Sequence, residues 1–263
     1  MNYLTNLNPF ILTLLASLFA CTITTLGSAL VFFFKKINKT VLNIMLAFSS
    51  GIMLSSSFFS LLKPSIEMSN NLNLCAFKTL LIGFLFGSFL LYITGLLFNK
   101  LLSKTTNKES LKRSILIILS ITIHNIPEGM AIGVAFASTL FNINGATIYT
   151  AIILSLGIAI QNFPEGSSIS LPLRREGLSR LKSFLFGTLS GVIEIISAII
   201  GYLLVLKIRI LLPYLLSFAA GAMIYVVIEE LIPESLNNNK KDLMALVSII
   251  GFSIMMILDI ALG

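Results

Sequence analysis

The segment SFLFGTLSGVIEIISAIIGYLLVL, residues 183–206, decides the fold class. As a helix it rises about 36 Å at 1.5 Å per residue, enough to cross the ~30 Å hydrocarbon core of a bilayer. A single charged residue, Glu194, stands near its middle. Seven further apolar stretches, bounded by charge or by Asn, Pro and Ser clusters, complete eight predicted spans. They lie at about 9–34, 41–62, 74–98, 114–140, 146–173, 183–206, 210–232 and 243–262. The composition agrees: of 263 residues, 56% are hydrophobic and 11% charged, with mean hydropathy +0.98, whereas soluble domains carry about 25% charged residues. So few charges cannot cover a water-facing surface. Eight spans also use nearly the whole chain, which excludes a large catalytic head. A transmembrane barrel would show segments of about ten alternating residues, and the runs here are continuous. The expected fold is a single all-α, polytopic membrane domain over residues 1–263, with eight transmembrane helices.

The formal charge of +7 would suggest a nucleic-acid partner if the cations formed one patch. They do not. Lys35, Lys36 and Lys39; Lys100, Lys104, Lys108, Lys112 and Arg113; Arg174, Arg175, Arg180 and Lys182; and Lys240 and Lys241 occupy alternate connections and make 14 of the 18 basic residues. The remaining four are Lys63, Lys78, Lys207 and Arg209. Cytoplasmic loops are the basic ones, so both termini are expected outside. Residues 1–8 contain no Lys or Arg, and the apolar run after them is too long for a signal-peptide core, so the first span should stay in the mature protein. Cys21 and Cys75 have no CxxC spacing and are expected to be packing residues.

The acids are distributed in the opposite way. Six of the 11, Glu128, Glu165, Glu194, Glu229, Glu230 and Asp259, fall inside predicted spans, and no Lys or Arg occupies the central part of any span. A carboxylate at the bilayer centre costs at least about 2.5–3.5 kcal/mol on insertion scales, so it must be protonated, solvated or paired. With no protein cation available, the counter-charge is expected to be a bound cation. Given alternating span directions, Glu128, Glu165 and Glu194 share one depth near the midplane. Glu229 and Glu230 then lie at the inner end of the seventh span. Asp259 lies near the outer face, as does Glu67 in the second outer loop.

Two of these glutamates belong to a repeated motif. HNIPEG (residues 124–129) and QNFPEG (residues 161–166) follow one pattern, [HQ]-N-x-P-E-G, 37 residues apart. Spacing of four places His124 with Glu128, and Gln161 with Glu165, on one helix face; Asn125 and Asn162 precede their glutamates by three and stay on that side. Pro127 and Pro164 lack an N–H and weaken bonding to the residue four before, so both helices are expected to kink. Exposed backbone at this depth is tolerated where it is buried or lines a wet cavity. Two such faces turned together make a cage of imidazole, amide oxygen and carboxylate. That donor set suits divalent zinc, iron, manganese, cobalt or cadmium and does not favour Cu(I). The two asparagines could instead only bridge helices by hydrogen bonds.

With these motifs the chain resembles the ZIP family of divalent metal transporters, in its bacterial GufA-like branch. GIMLSSSFFSLLKP, LPLRREG, AAGAMIYVV, IEELIPE and the ending ILDIALG fit the same likeness. The resemblance implies a site, usually binuclear, between the fourth and fifth helices. The first position would take His124, Glu128, Gln161 and Glu165, with Met53 nearby. The second would take Asn125, Asn162, Glu165 and Glu194, with Glu128 shared. It further implies a 3+2+3 helix arrangement with an inverted repeat, elevator-like movement of helices 1, 4, 5 and 6 against 2, 3, 7 and 8, and a homodimer in a bacterial inner membrane. Two departures stand out. Asn162 replaces an Asp found in some members, and residues 99–113 contain no His, so a His-rich metal-capturing cytoplasmic loop is absent.

The expected function is uptake of a divalent transition metal, zinc foremost, into the cytoplasm, with Asp259, Glu67, Ser60 and Met223 nearer the entrance and Glu229 and Glu230 towards the exit. The metal is substrate; no prosthetic group is expected, and the partners are the metal and the lipid bilayer, not nucleic acid. Two other classes compete: a proton or sodium channel using the carboxylates as a relay, and an intramembrane zinc enzyme. The enzyme reading is weakened by the lack of HExxH and by the need for every motif residue as a ligand.

Overall fold

The computed structural model describes residues 7–33, 39–105, 125–141, 146–237 and 240–262. Eight helices run through the described residues, with short 3-10 turns at Thr139–Phe141 and Arg209–Leu211. They are α1 (Pro9–Phe33), α2 (Lys39–Asn71), α3 (Ala76–Thr105), α4 (residues 125–138), α5 (Ile148–Arg175), α6 (Arg180–Lys207), α7 (Leu212–Ser235) and α8 (Lys241–Leu262). Six of them, α1, α2, α3, α6, α7 and α8, are long and apolar enough to cross a membrane by length and composition. α5 has 28 residues, but Gln161, Asn162 and Glu165 interrupt its apolar run. For α4, the part of the predicted 114–140 span before residue 125 lies outside the described residues, as does His124.

Two elements depart from the sequence expectation. α2 continues past the predicted end at 62 as far as Asn71, so Glu67, expected in a loop, sits on a helix. The chain manages this by widening into a π-turn at Ser57–Leu62, where the Lys63 N–H donates to Phe58 O. The wider turn accommodates Pro64, which has no N–H to continue the ladder. α7 repeats the device: Val227–Leu231 is a π-turn, the Ile232 N–H donates to Val227 O, and Pro233 follows. α2 stops at Asn71, and Asn73, with φ of 55°, turns the chain while the Leu74 N–H donates back to Ser69 O over 2.9 Å. Pro164 and Pro172, by contrast, lie within continuous helix.

The helices fall into two groups. α1 packs on α5 and α6, and α5 on α6; α4 joins them because a Cβ at Gly129 would overlap the backbone of Glu194, and one at Gly133 that of Ala198. The second group pairs α3 with α7 and α2 with α8. Among the described residues, every glycine whose added Cβ would strike backbone does so within one group: Gly27 on Phe163, Gly166 on Thr24, Gly51 on Ser248, Gly221 on Phe84 and others alike. Small residues let backbones approach where lipid supplies no hydrophobic drive to pack helices. Interhelical aromatic pairs follow the same division, Phe10 with Tyr202 and Phe32 with Phe184 in the first group, Phe59 with Phe252 and Phe86 with Phe218 in the second.

The groups meet where α2 and α8 lie against α5, and Ala135 and Ser138 of α4 share a small cavity with Met68 of α2 and Leu216 of α7; the contacts at α5 are softer. Gly157 of α5 faces the flexible thioether of Met255 on α8. Ser49 of α2 donates to the Gln161 carbonyl over a long 3.4 Å. Of the two cysteines, Cys21 is buried as expected, whereas Cys75 is exposed, because it lies in the turn between α2 and α3 rather than on a packed face.

Candidate metal centre

Three helices of the first group bring six of the predicted ligands together. Asn125 and Glu128 come from α4, Gln161, Asn162 and Glu165 from α5, and Glu194 from α6. Glu128, Glu165 and Glu194 are the only charged residues buried among the described residues, and Gln161 and Asn162 are 0% exposed. Glu194 lies against Glu128 because Gly129, the next residue on α4, rests on the backbone of Glu194 itself. On the far side, Ser28 of α1 donates to the Gly166 carbonyl over 3.1 Å, fixing the turn of α5 that follows Glu165.

The hydrogen bonds orient the amides of the cluster. Gln161 Nε2 donates to Glu128 Oε1 (2.5 Å), Asn162 Nδ2 to Glu194 Oε2 (2.7 Å), and Asn125 Nδ2 to the Ser190 carbonyl (3.0 Å). A carboxylate or carbonyl only accepts, so each amide must present its NH2 there and turn its oxygen elsewhere. What remains is a set of buried oxygens with no hydrogen-bond partner: Asn125 Oδ1, Glu128 Oε2, Gln161 Oε1, Asn162 Oδ1, Glu165 Oε2 and Glu194 Oε1. Each of the six residues contributes one. Orphaned buried acceptors are rare in folded proteins, and here all six come from residues that α4, α5 and α6 bring near one another. The asparagines thus bridge helices through nitrogen and still keep their oxygens free.

Like charges sharpen this. Glu128 and Glu194, Glu165 and Glu128, and Glu165 and Glu230 lie within electrostatic reach of one another. No three His, Cys, Asp or Glu side chains among the described residues converge as a metal-holding group.

The remaining predicted residues are distributed along the bundle. Ser60, on the π-turn of α2, donates to Asp259 Oδ1 of α8 over 2.5 Å, and Asp259 Oδ2 is buried without a partner. Glu67 is half-buried on the extension of α2. Met53 and Met223 are buried in the main apolar core. Glu229 is exposed and Glu230 half-buried beside it on the π-turn of α7. Sequence reasoning missed Ser49, Ser28 and the Ser190 carbonyl, which meet the cluster through backbone groups that leave no mark in residue type; the small-residue spacing of α1 was the available signal.

A multi-pass helical membrane protein with ionisable and amide groups enclosed at the middle of its helices is built as transport proteins are. The family model described as ZIP Zinc transporter matches residues 101–259, and the chain belongs to the ZIP family. It is 35% identical to Zinc transporter ZIP11 of Xenopus tropicalis, covering 97% of this chain and 98% of that one. It is 32% identical to Zinc transporter ZIPB of Bordetella bronchiseptica, covering 91% and 78%. With Zinc transporter GufA of Myxococcus xanthus the identity is 37% over 57% of this chain and 56% of that protein.

Proposed function

We propose that this protein carries divalent transition-metal cations, zinc foremost, into the bacterial cytoplasm through the cluster at Glu128, Glu165 and Glu194. The observation that carries this reading is the six partnerless buried oxygens around the three buried carboxylates, a concentration of negative charge and lone pairs that a cation neutralises. His124, next to Asn125, supplies the nitrogen donor that favours zinc over calcium or magnesium. The relatives named as zinc transporters support the same substrate. Initial rates of zinc, cadmium, iron and manganese uptake in vesicles of known orientation, in competition with one another, test both substrate and direction; flux of sodium or protons without any transition-metal flux would overturn the reading.

Movement of the first helix group against the second accounts for alternating access. Backbone-to-backbone glycine contacts stiffen each group, while across the seam Gly157 meets the flexible side chain of Met255 and Ser49 reaches the Gln161 carbonyl at 3.4 Å. In this reading the Ser60–Asp259 pair receives the ion on the outer side, and Glu230, within electrostatic reach of Glu165, draws it inward. Ligands must be deprotonated to bind, so uptake at fixed zinc falls as the medium is acidified, read as initial rate against external pH. A rate that rises on acidification would instead mark proton-driven import.

Asn162 sets how many ions are held. It contributes a neutral oxygen where a carboxylate would add a full charge, leaving the second position under-charged for a divalent ion. Asn162→Asp therefore raises the zinc bound per chain from a single tight ion towards two, measured by equilibrium binding, and slows release. Unchanged stoichiometry in that variant would remove Asn162 from the site.

A further inference from the structure

The seam between the two helix groups opens a groove of about 590 Å³ on the membrane-facing surface. α5 forms its floor at Ala159, α1 one wall at Phe19, and α2 and α8 the other at Phe48 and Val247. All eleven lining residues are apolar. Phe19 of α1 is 47% exposed and Leu156 of α5 41%, and the medium around apolar side chains on the outside of a bilayer-embedded helix bundle is hydrocarbon. The geometry points to a binding site for one acyl chain of a bilayer phospholipid, seated lengthwise in this groove.

The choice of occupant follows from the lining and the solvent. An apolar cavity stays dry, and a void forfeits the dispersion contacts that its walls would otherwise make, so the groove neither holds water nor stays empty. No residue in it can bind an ion or satisfy a headgroup or a peptide bond. Its volume falls in the ordinary range of small-ligand pockets, about 300–1,000 Å³. In a membrane the matching material at this depth is the lipid chain itself. Phe163 and Pro164 are also part of the lining, so the seated chain touches the back of α5 between Asn162 and Glu165. It lies in the joint that the proposed movement must slide along.

The chain has no tryptophan, which makes a single introduced indole a clean reporter. Phe19→Trp places one at the groove lip; Phe86→Trp places one on α3, 60% exposed and away from the seam. Both proteins are reconstituted with phosphatidylcholine brominated on its acyl chains, then mixed with a large excess of unbrominated vesicles. Freely exchanging lipid lets Phe86→Trp regain its fluorescence, while Phe19→Trp keeps most of its quenching, and adding Ala159→Phe to fill the floor makes Phe19→Trp recover like the control. Leu156→Trp serves as an independent reporter of the same groove. Equal recovery at both positions would overturn the proposal, as would absence of quenching at Phe19→Trp in brominated lipid, the result expected if a second protein chain covers the groove. Neither readout involves metal, so the outcome is separate from that of the transport reading.

Discussion

Glu165→Ala abolishes zinc uptake, with a loss of at least about 100-fold, because even groups that only orient metal ligands are worth 10–100-fold. Glu165 offers a partnerless buried oxygen and lies within electrostatic reach of both Glu128 and Glu230, so its loss removes charge from the centre of the path. His124→Ala has the same effect on flux. The two changes differ from a folding defect in a measurable way. Glu165→Gln keeps the shape but removes a carboxylate whose burial as an ion is costly, and among the described residues no Lys or Arg is buried with it. Metal-free Glu165→Gln should therefore unfold at an equal or higher temperature than the parent, while the upward shift that zinc gives the parent shrinks or vanishes. Parent-like uptake in both Glu165→Ala and His124→Ala would dismiss the site.

Gly129→Ala damages transport without touching a ligand. Its Cβ would overlap the Glu194 carbonyl oxygen and press on the Glu194 Cα, and neither is the movable end of a side chain. α6 must shift away from α4, taking Glu194 out of register with Asn162, whose amide donates to it. Overpacking of this kind costs about 1–3 kcal/mol, and uptake should fall several-fold. Gly95→Ala on α3 is the control: nothing lies within 4 Å of its Cβ, and relief of glycine's backbone entropy makes it neutral or stabilising by about 0.5–1 kcal/mol. Thermal unfolding and zinc flux of the pair separate close packing from general sensitivity to substitution; equal effects at the two positions would show that the α4–α6 approach does not hold Glu194.

Six of the spans, α1, α2, α3, α6, α7 and α8, were legible because each is a long apolar run. The buried acids were legible as candidate ligands because a carboxylate at membrane depth, with no Lys or Arg in reach along the spans, calls for a bound cation. The continuation of α2 to Asn71 was not, since Lys63 and Pro64 read as a boundary; the π-turns at Ser57–Leu62 and Val227–Leu231 carry the helices past their prolines, and only Pro64 and Pro233 hinted at them. Nor was it legible that Asn125 would point its nitrogen at a backbone carbonyl of α6, because backbone acceptors are the same at every residue.

By itself the sequence determined that this is an α-helical membrane protein and which residues hold its buried charge, because lipid excludes charge and unpaired backbone regardless of how helices pack. Tertiary structure decided which helices pair, which oxygens are left free, and where the seam and its groove fall. In hydrocarbon an apolar face gains little by turning inward rather than towards lipid, so no hydrophobic period marks the contact surfaces. Backbone contacts at Gly27, Gly129 and Gly166 and the amide-to-carboxylate bonds of Gln161 and Asn162 mark them instead, and these exist only once the helices have met.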